Sequence, residues 1–368
     1  MSRRFLAGAL ALAGCPDEPL VDEDVTFTDL GKFATTDEGV ATVPWEAPEG
    51  VVSTEVFCGP YGFDTFATAD AVTDPAGAAV YDDDAPFATG LRVGVLDDML
   101  PVLVPVSPTL PASAGEWTLD LFVDASALPT TVTCGMVNRV GDVSADNSVD
   151  IAIVFVGVDG ISAGMNATSG AGDASVQVAL ATLGDLWSGL GLSLGDVRYD
   201  DFGGDVATYS SIVGDEEFGE LLRTAADEPE LTFYFVQDID LGDGASILGL
   251  SGGPPGIAAH GGTSKSGVVI NVANIVASPD QVGLIMAHEG GHFLGLFHPT
   301  ENDMSGEDQL GDTPVCATDT DADGTLTSAE CADAGADNVM WPSAQVGTAT
   351  TFSDDQAWVV ARNPIVKP

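Results

Sequence analysis

Apolar and polar positions alternate in short runs along the first part of the chain. Val25–Leu30, Val40–Trp45, Val51–Cys58, Leu91–Leu96, Val102–Val106, Trp117–Val123 and Thr131–Val137 are rich in β-branched and aromatic residues. Gly, Pro and Asp stand between them, so each run reads as a strand bounded by turns. A period of two means one buried and one solvated face. Short strands in such a series predict an all-β sandwich over residues 25–145.

The texture changes near Asp150. Ile151–Val158 is a continuous apolar run, which predicts a strand buried on both faces. Val176, Leu180, Leu183 and Trp187 recur at helical spacing within Asp173–Leu190. Leu194–Phe202, Leu231–Val236 and Val268–Val272 read as further strands, with a short helix near Glu216–Ala226. Gly249–Gly267 reads as a glycine-rich loop, and His260 within it as a surface histidine. Ser278-Pro279-Asp280-Gln281 then offers a Ser N-cap, Pro at the first helical position, an acid in the first turn and a Gln closing a capping box. A helix over Pro279–Leu294 follows. The chain is therefore expected to be multidomain, the sandwich preceding an α/β (α+β) unit over residues 146–368.

Charge narrows the partners. Lys and Arg number 10 against 57 Asp and Glu, a formal charge of −47. Nucleic acid is excluded, because binding it needs clustered cations. Such acidity suits a solvated surface in salt water, calcium binding or both, and a monomer is expected. The N-terminus reads as a targeting segment. Arg3 and Arg4 precede a short apolar run, and Leu12-Ala13-Gly14-Cys15 matches the lipobox of bacterial lipoproteins. Residues 1–14 would be a signal peptide, Cys15 the acylated anchor in a lipid membrane, and residues 15–24 an acidic tether. That predicts an exported lipoprotein of the cell envelope, outer membrane or cell surface. No later stretch is long and apolar enough to read as a membrane-spanning helix. With Cys15 lipidated, Cys58 and Cys134, and Cys316 and Cys331, remain for two local disulfides. The other reading of Cys58 is a cysteine switch that blocks a metal in a zymogen.

Chemistry concentrates at His288-Glu289-Gly290-Gly291-His292-Phe293-Leu294-Gly295-Leu296-Phe297-His298. The chain has 4 histidines, and this stretch holds all but His260. His288 and His292 lie one helical turn apart on one face, so both imidazoles reach one Zn²⁺. Gly295 lets the helix stop and the chain turn, which brings His298 back as the third ligand. Three protein ligands leave a fourth position for water, the pattern of a catalytic site. Glu289 is placed to take that water's proton as general base. Gly290 and Gly291 each cost about 1 kcal/mol inside a helix relative to Ala; close approach by a strand or a substrate would explain them.

The eleven-residue pattern H-E-x-x-H-x-x-G-x-x-H resembles the zinc consensus of the metzincin metalloproteases. Asp337-Asn338-Val339-Met340-Trp341-Pro342 is similar to that family's Met-turn, in which Met340 would form an apolar floor beneath the metal. Asp308-Gln309-Leu310-Gly311-Asp312-Thr313-Pro314 and Phe352-Ser353-Asp354-Asp355-Gln356 resemble segments of the pappalysin branch, whereas Pro299 directly after the third His is a serralysin-like feature. The resemblance covers roughly residues 150–368. It implies a metzincin-like catalytic domain: a twisted mixed sheet, a backing helix, an active-site helix and an edge strand that pairs with extended substrate.

Asp319-Thr320-Asp321-Ala322-Asp323-Gly324-Thr325-Leu326-Thr327-Ser328-Ala329-Glu330 fits the 12-residue EF-hand loop. Asp319, Asp321, Asp323, Glu330 and the Thr325 carbonyl would ligate a structural Ca²⁺, with Cys316 and Cys331 clamping the loop. These readings together predict a lipid-anchored zinc endopeptidase acting on protein or peptide substrates. The alternative is a non-catalytic cell-surface binding lipoprotein whose metal sites only brace the fold; Glu289 argues against it, since a purely structural site needs no acid there.

Overall fold

The computed structural model describes residues 24–59, 66–86, 90–93, 99–125, 128–161, 164–241 and 247–368. The signal segment, Cys15 and all of the tether but Asp24 lie outside the described residues. The first half forms β1 (Val25–Ala34), β2 (Val40–Ala47), β3 (Val51–Gly59), β4 (Phe66–Thr73), β5 (Ala79–Asp82), β6 (Leu100–Val104), β7 (Gly115–Asp124) and β8 (Thr131–Val140). They build two 4-stranded antiparallel sheets, ordered β1-β8-β3-β6 and β2-β7-β4-β5. Alternation drives this: β2 buries Ala41, Val43, Trp45 and Ala47, and β7 buries Trp117, Leu119, Leu121 and Val123. Trp45 and Trp117 are direct register partners, with rings stacked 5.9 Å apart. Cys58 and Cys134, also register partners, form a disulfide across β3 and β8.

Two readings of this half need correction. β4 and β5 escape the pattern because β4 turns small residues inward, Ala67 and Ala69 beside Val72. Leu91–Val93 is not strand, although Leu91 is fully buried; the rest of the expected Leu91–Leu96 strand lies outside the described residues.

The second half contains β9 (Asn147–Phe155), α1 (Ala167–Gly170), α2 (Ala174–Trp187), β10 (Leu192–Asp201), α3 (Val206–Tyr209), β11 (Ser211–Val213), α4 (Gly214–Leu222), β12 (Leu231–Val236), β13 (Asp238–Asp240), β14 (Gly249–Ser251), β15 (Val268–Asn271), α5 (Pro279–Phe293) and α6 (Asp354–Val360). A 5-stranded mixed sheet runs β10-β9-β12-β15-β14. β10, β9, β12 and β15 are parallel, and β14 is an antiparallel edge beside β15. A parallel pair β11–β13 lies apart. One face of the sheet packs on α2 and α5 through Ile153, Phe233 and Ile270. On the other, Phe218 and Leu222 of α4 cover Tyr234, Val236 and Val269. Coverage on both faces explains why β12 is buried throughout and apolar but for Thr232.

The two halves share an interface of buried polar groups. Arg139 Nη1 of β8 donates to the carbonyls of Ala361 (2.7 Å) and Asn363 (3.2 Å). Ser53 Oγ of β3 donates to the Arg362 carbonyl. Glu55 Oε2, two residues along β3, accepts from the Ala258 main chain at 2.9 Å. Phe297, which follows α5, packs into the sandwich core. β3 is buried on both faces because one meets the sandwich core and the other meets this interface.

Candidate metal centre

α5 buries every residue from Val282 to Phe293, including a carboxyl and two imidazoles. Pro279 opens it as expected, but Ser278 makes no side-chain cap. The expected capping box is absent: Gln281 Oε1 instead accepts from the Val346 main chain at 3.3 Å, and Asp280 accepts from Thr182 Oγ1 at 3.1 Å. Close approach explains Gly290 and Gly291, chiefly by a helix and a turn, with Phe233 of the strand β12 at 3.3 Å from a Cβ on Gly290. A Cβ on Gly290 would sit 2.6 Å from the Trp187 indole of α2, and one on Gly291 would sit 2.5 Å from Met340 Sδ. The helix ends at Phe293, and Gly295 takes φ +99°, the left-handed turn that returns His298 to the site.

The three imidazoles converge through their Nε2 atoms. His298 Nε2 lies 3.0 Å from His292 Nε2 and 3.3 Å from His288 Nε2. Each Nδ1 is engaged elsewhere: His288 with the Val339 carbonyl at 2.7 Å, His292 with the Leu296 carbonyl at 2.8 Å, His298 with Glu301 Oε2 at 2.7 Å. A carbonyl or carboxylate at Nδ1 requires the proton there. Three Nε2 lone pairs then face one another, an arrangement that a cation between them stabilises. Zn–N bonds of about 2.0–2.1 Å at tetrahedral angles place ligand nitrogens about 3.3–3.4 Å apart. The donor set therefore fits Zn²⁺ by chemistry, count and spacing. Burial and the charge of His298 push His288 down to about 4, and burial with both neighbouring imidazoles holds His292 well below the usual range. Both are neutral at pH 7, as ligation requires.

Glu289 faces the same space. Burial pushes its carboxyl up to about 8, and a hydrogen bond from the Ser251 main chain opposes the shift. Glu289, the imidazoles and Glu301 line a cleft of about 590 Å³. Leu250 and Ser251 of β14 form one side; Tyr81, Asp83 and Arg92 from the sandwich form the other. Gly249–Ser251, expected as loop, is thus a strand bordering the cleft, and Gly249 is needed because a Cβ there would sit 2.7 Å from Glu289 Cγ.

Met340 is fully buried beneath Gly291. Its turn is held by Asn338, which accepts from the Met340 main chain at 2.8 Å and exchanges two hydrogen bonds with Gln356. Gln356 also closes a capping box with Ser353 at the start of α6. The segments 337–342 and 352–356, two of those singled out for resemblance, are therefore joined by buried hydrogen bonds between Asn338 and Gln356. The Val339 carbonyl orients the first imidazole.

Asp319, Asp321 and Asp323 come together as a possible cation site, but Glu330 does not join them. Its carboxylate accepts from the main chain and hydroxyl of both Thr320 and Thr327, which hold it down to about 2. Thr325 contributes its N–H, at 2.8 Å, to Asp323. Cys316 and Cys331 are bonded and bracket the loop as expected. Cys58, already bonded to Cys134, is no cysteine switch. His260 is not a free surface ring: it stacks 4.8 Å from Phe27 and 5.3 Å from Phe57, and burial lowers its pKa. Glu301, Arg92 and the Leu296 and Val339 carbonyls were not foreseen. A Glu three residues after the last His was the only signal, and it is faint in so acidic a chain.

Among the described residues no helix is long and apolar enough to cross a membrane. No protein-family model matches the chain, and no curated protein matches it in sequence. Solved structures similar to it include archaemetzincin from Methanopyrus kandleri, at 13% identity over 59% of this chain and 88% of that one, TM-score 0.31. Another is metalloproteinase-II from Bacteroides fragilis, at 12% identity over 47% and 55%, TM-score 0.29. Likeness at that level assigns no activity to this chain, whose chemistry stands on its own three imidazoles and one carboxyl.

Proposed function

We propose that this protein is a zinc endopeptidase, exported and anchored to a lipid membrane through an acylated Cys15. One observation carries the reading: three imidazole Nε2 atoms meet within 3.0–3.3 Å, each tautomer pinned from behind, beside a buried carboxyl in an open cleft. His288, His292 and His298 would hold zinc, which when bound raises the acidity of water and polarises a carbonyl. Glu289 takes a proton from the attacking water on its carboxylate and delivers it to the leaving amine nitrogen. A cation held by the three imidazoles would favour the carboxylate that takes the first proton, and burial favours the acid that holds it between the transfers. β14 presents its outer edge to the cleft, where an extended substrate backbone would pair as a further strand. A bracing site in a binding protein would have no use for Glu289 or for the cleft. The metzincin character and the pappalysin-like segments belong to the same proposal, as does a structural Ca²⁺ at the acidic loop.

Glu289→Gln keeps shape and removes the proton carrier. With zinc content matched, cleavage of an unfolded protein should fall by about 10²–10⁴; equal rates would remove Glu289 from the mechanism. Cys15→Ala should move the protein from the membrane to the soluble fraction, and continued retention would rule out the acyl anchor.

A further inference from the structure

The third imidazole differs from the other two in what holds it. His288 and His292 stand on α5, and main-chain carbonyls engage their Nδ1 atoms. His298 lies past the turn, and its Nδ1 partner is the side chain of Glu301, which is 27% exposed. A glutamate side chain at a partly open surface has several rotamers, and ordering it costs conformational entropy.

Arg92 of the sandwich meets that glutamate. Its Nη2 lies 3.5 Å from Glu301 Oε1, the oxygen that faces away from His298. Its Nη1 donates to the Glu307 carbonyl, and its guanidinium sits 4.6 Å from the Phe297 ring centroid. Glu301 and Glu307 lie on the two arms of a small hairpin: Thr300 bridges Glu307, and the Glu301 N–H donates to Gly306 at 2.9 Å. Arg92 therefore grips both arms of the segment following the third imidazole. Only a planar fork can span two acceptors while stacking on a ring, which a lysine ammonium cannot do.

We propose that Arg92 is a positioning residue for the third zinc ligand: by fixing Glu301 it fixes His298 with Nε2 toward the metal, so the sandwich sets the metal affinity of the site. This rests on reading the three imidazoles as the zinc centre. The assignment gives the sandwich a part in holding the metal centre.

The test is a zinc titration of the metal-free full-length chain against a chromophoric chelator, with no substrate present. Arg92→Met, which keeps packing on Phe297, and Glu301→Gln should each bind zinc about 10–100-fold more weakly. Arg92→Lys should fall between Arg92→Met and wild type. Ser53→Ala, which loses a sandwich contact to the Arg362 carbonyl instead, should bind as wild type does. Cobalt loaded in place of zinc should show a changed ligand-field spectrum in Arg92→Met. Wild-type affinity in Arg92→Met, or an equal loss in Ser53→Ala, overturns the proposal. Should Arg92→Met fail to fold, wild-type affinity in both Arg92→Lys and Glu301→Gln overturns it equally. His288→Ala separates the two readings, because zinc affinity unchanged there would sink the metal centre itself.

Discussion

Gly290 and Gly291 show how single residues shape the site from behind. Neither has the positive φ that favours glycine, so the reason is space. Gly290 faces the Trp187 indole, a rigid ring whose Nε1 donates to the Ala287 carbonyl at 3.3 Å. Gly291 faces the thioether of Met340, which has rotatable bonds with which to retreat. Gly290→Ala should therefore destabilise by about 1–3 kcal/mol through overpacking. Gly291→Ala should cost less, because the Met340 thioether can give way while helix propensity returns about 1 kcal/mol at both positions. Urea unfolding at matched zinc content decides this, and the reverse order would contradict the packing account. At this scale the three converging imidazoles were legible because their spacing is itself the geometry. Glu301, Val339 and Leu296 were not. Two of them act through main-chain carbonyls, which no side chain announces, and the third is one acid among 57 Asp and Glu.

Elements were readable in proportion to their side-chain contrast. β2 and β7 alternate large apolar and polar residues and were found; β4 alternates alanine and β14 contains glycine, and neither gave a signal. α5 was placed from Pro279 and the histidine spacing, although its expected Ser cap does not form. The acidic loop 319–330 was marked from spacing alone; its three aspartates meet, but Glu330 turns to Thr320 and Thr327 instead of joining them. Leu326 ties it to the metal centre: its N–H donates to the Asn302 carbonyl at 2.7 Å, and its side chain packs with Cys316, Cys331 and Trp341. Trp341 follows Met340, so order in the loop reaches the floor of the site through that small core. If calcium occupies the loop, saturating it should raise the melting temperature by several degrees, the shift that about 2.7 kcal/mol of binding linkage gives at a hundredfold excess over Kd. Asp319→Asn should abolish the rise, and a calcium-independent melting temperature in the wild type would dismiss the site.

The whole molecule joins two differently built halves through polar groups that neither half could bury alone. The carboxyl of Glu55 is the most exposed to consequence. β3 carries it into the interface, where it is 0% exposed and accepts one hydrogen bond, from Ala258. Burial pushes its pKa up to about 8, and that hydrogen bond opposes the shift only in part. In the unfolded chain the group returns to the ordinary range near 4.5. Between those values the folded protein keeps a proton that the unfolded chain releases, so stability falls as pH rises. The contribution is complete below about pH 4.5 and is lost as pH passes through about 8. Glu55→Gln has no such proton to lose. Wild type and variant should match most closely near pH 5, and the variant should be the more stable by a few kcal/mol above pH 8. Denaturant midpoints across that range, at matched zinc content, measure the difference. Parallel curves would mean that the interface opens to water at Glu55, and that the two halves are held together by something other than the dry contact on β3.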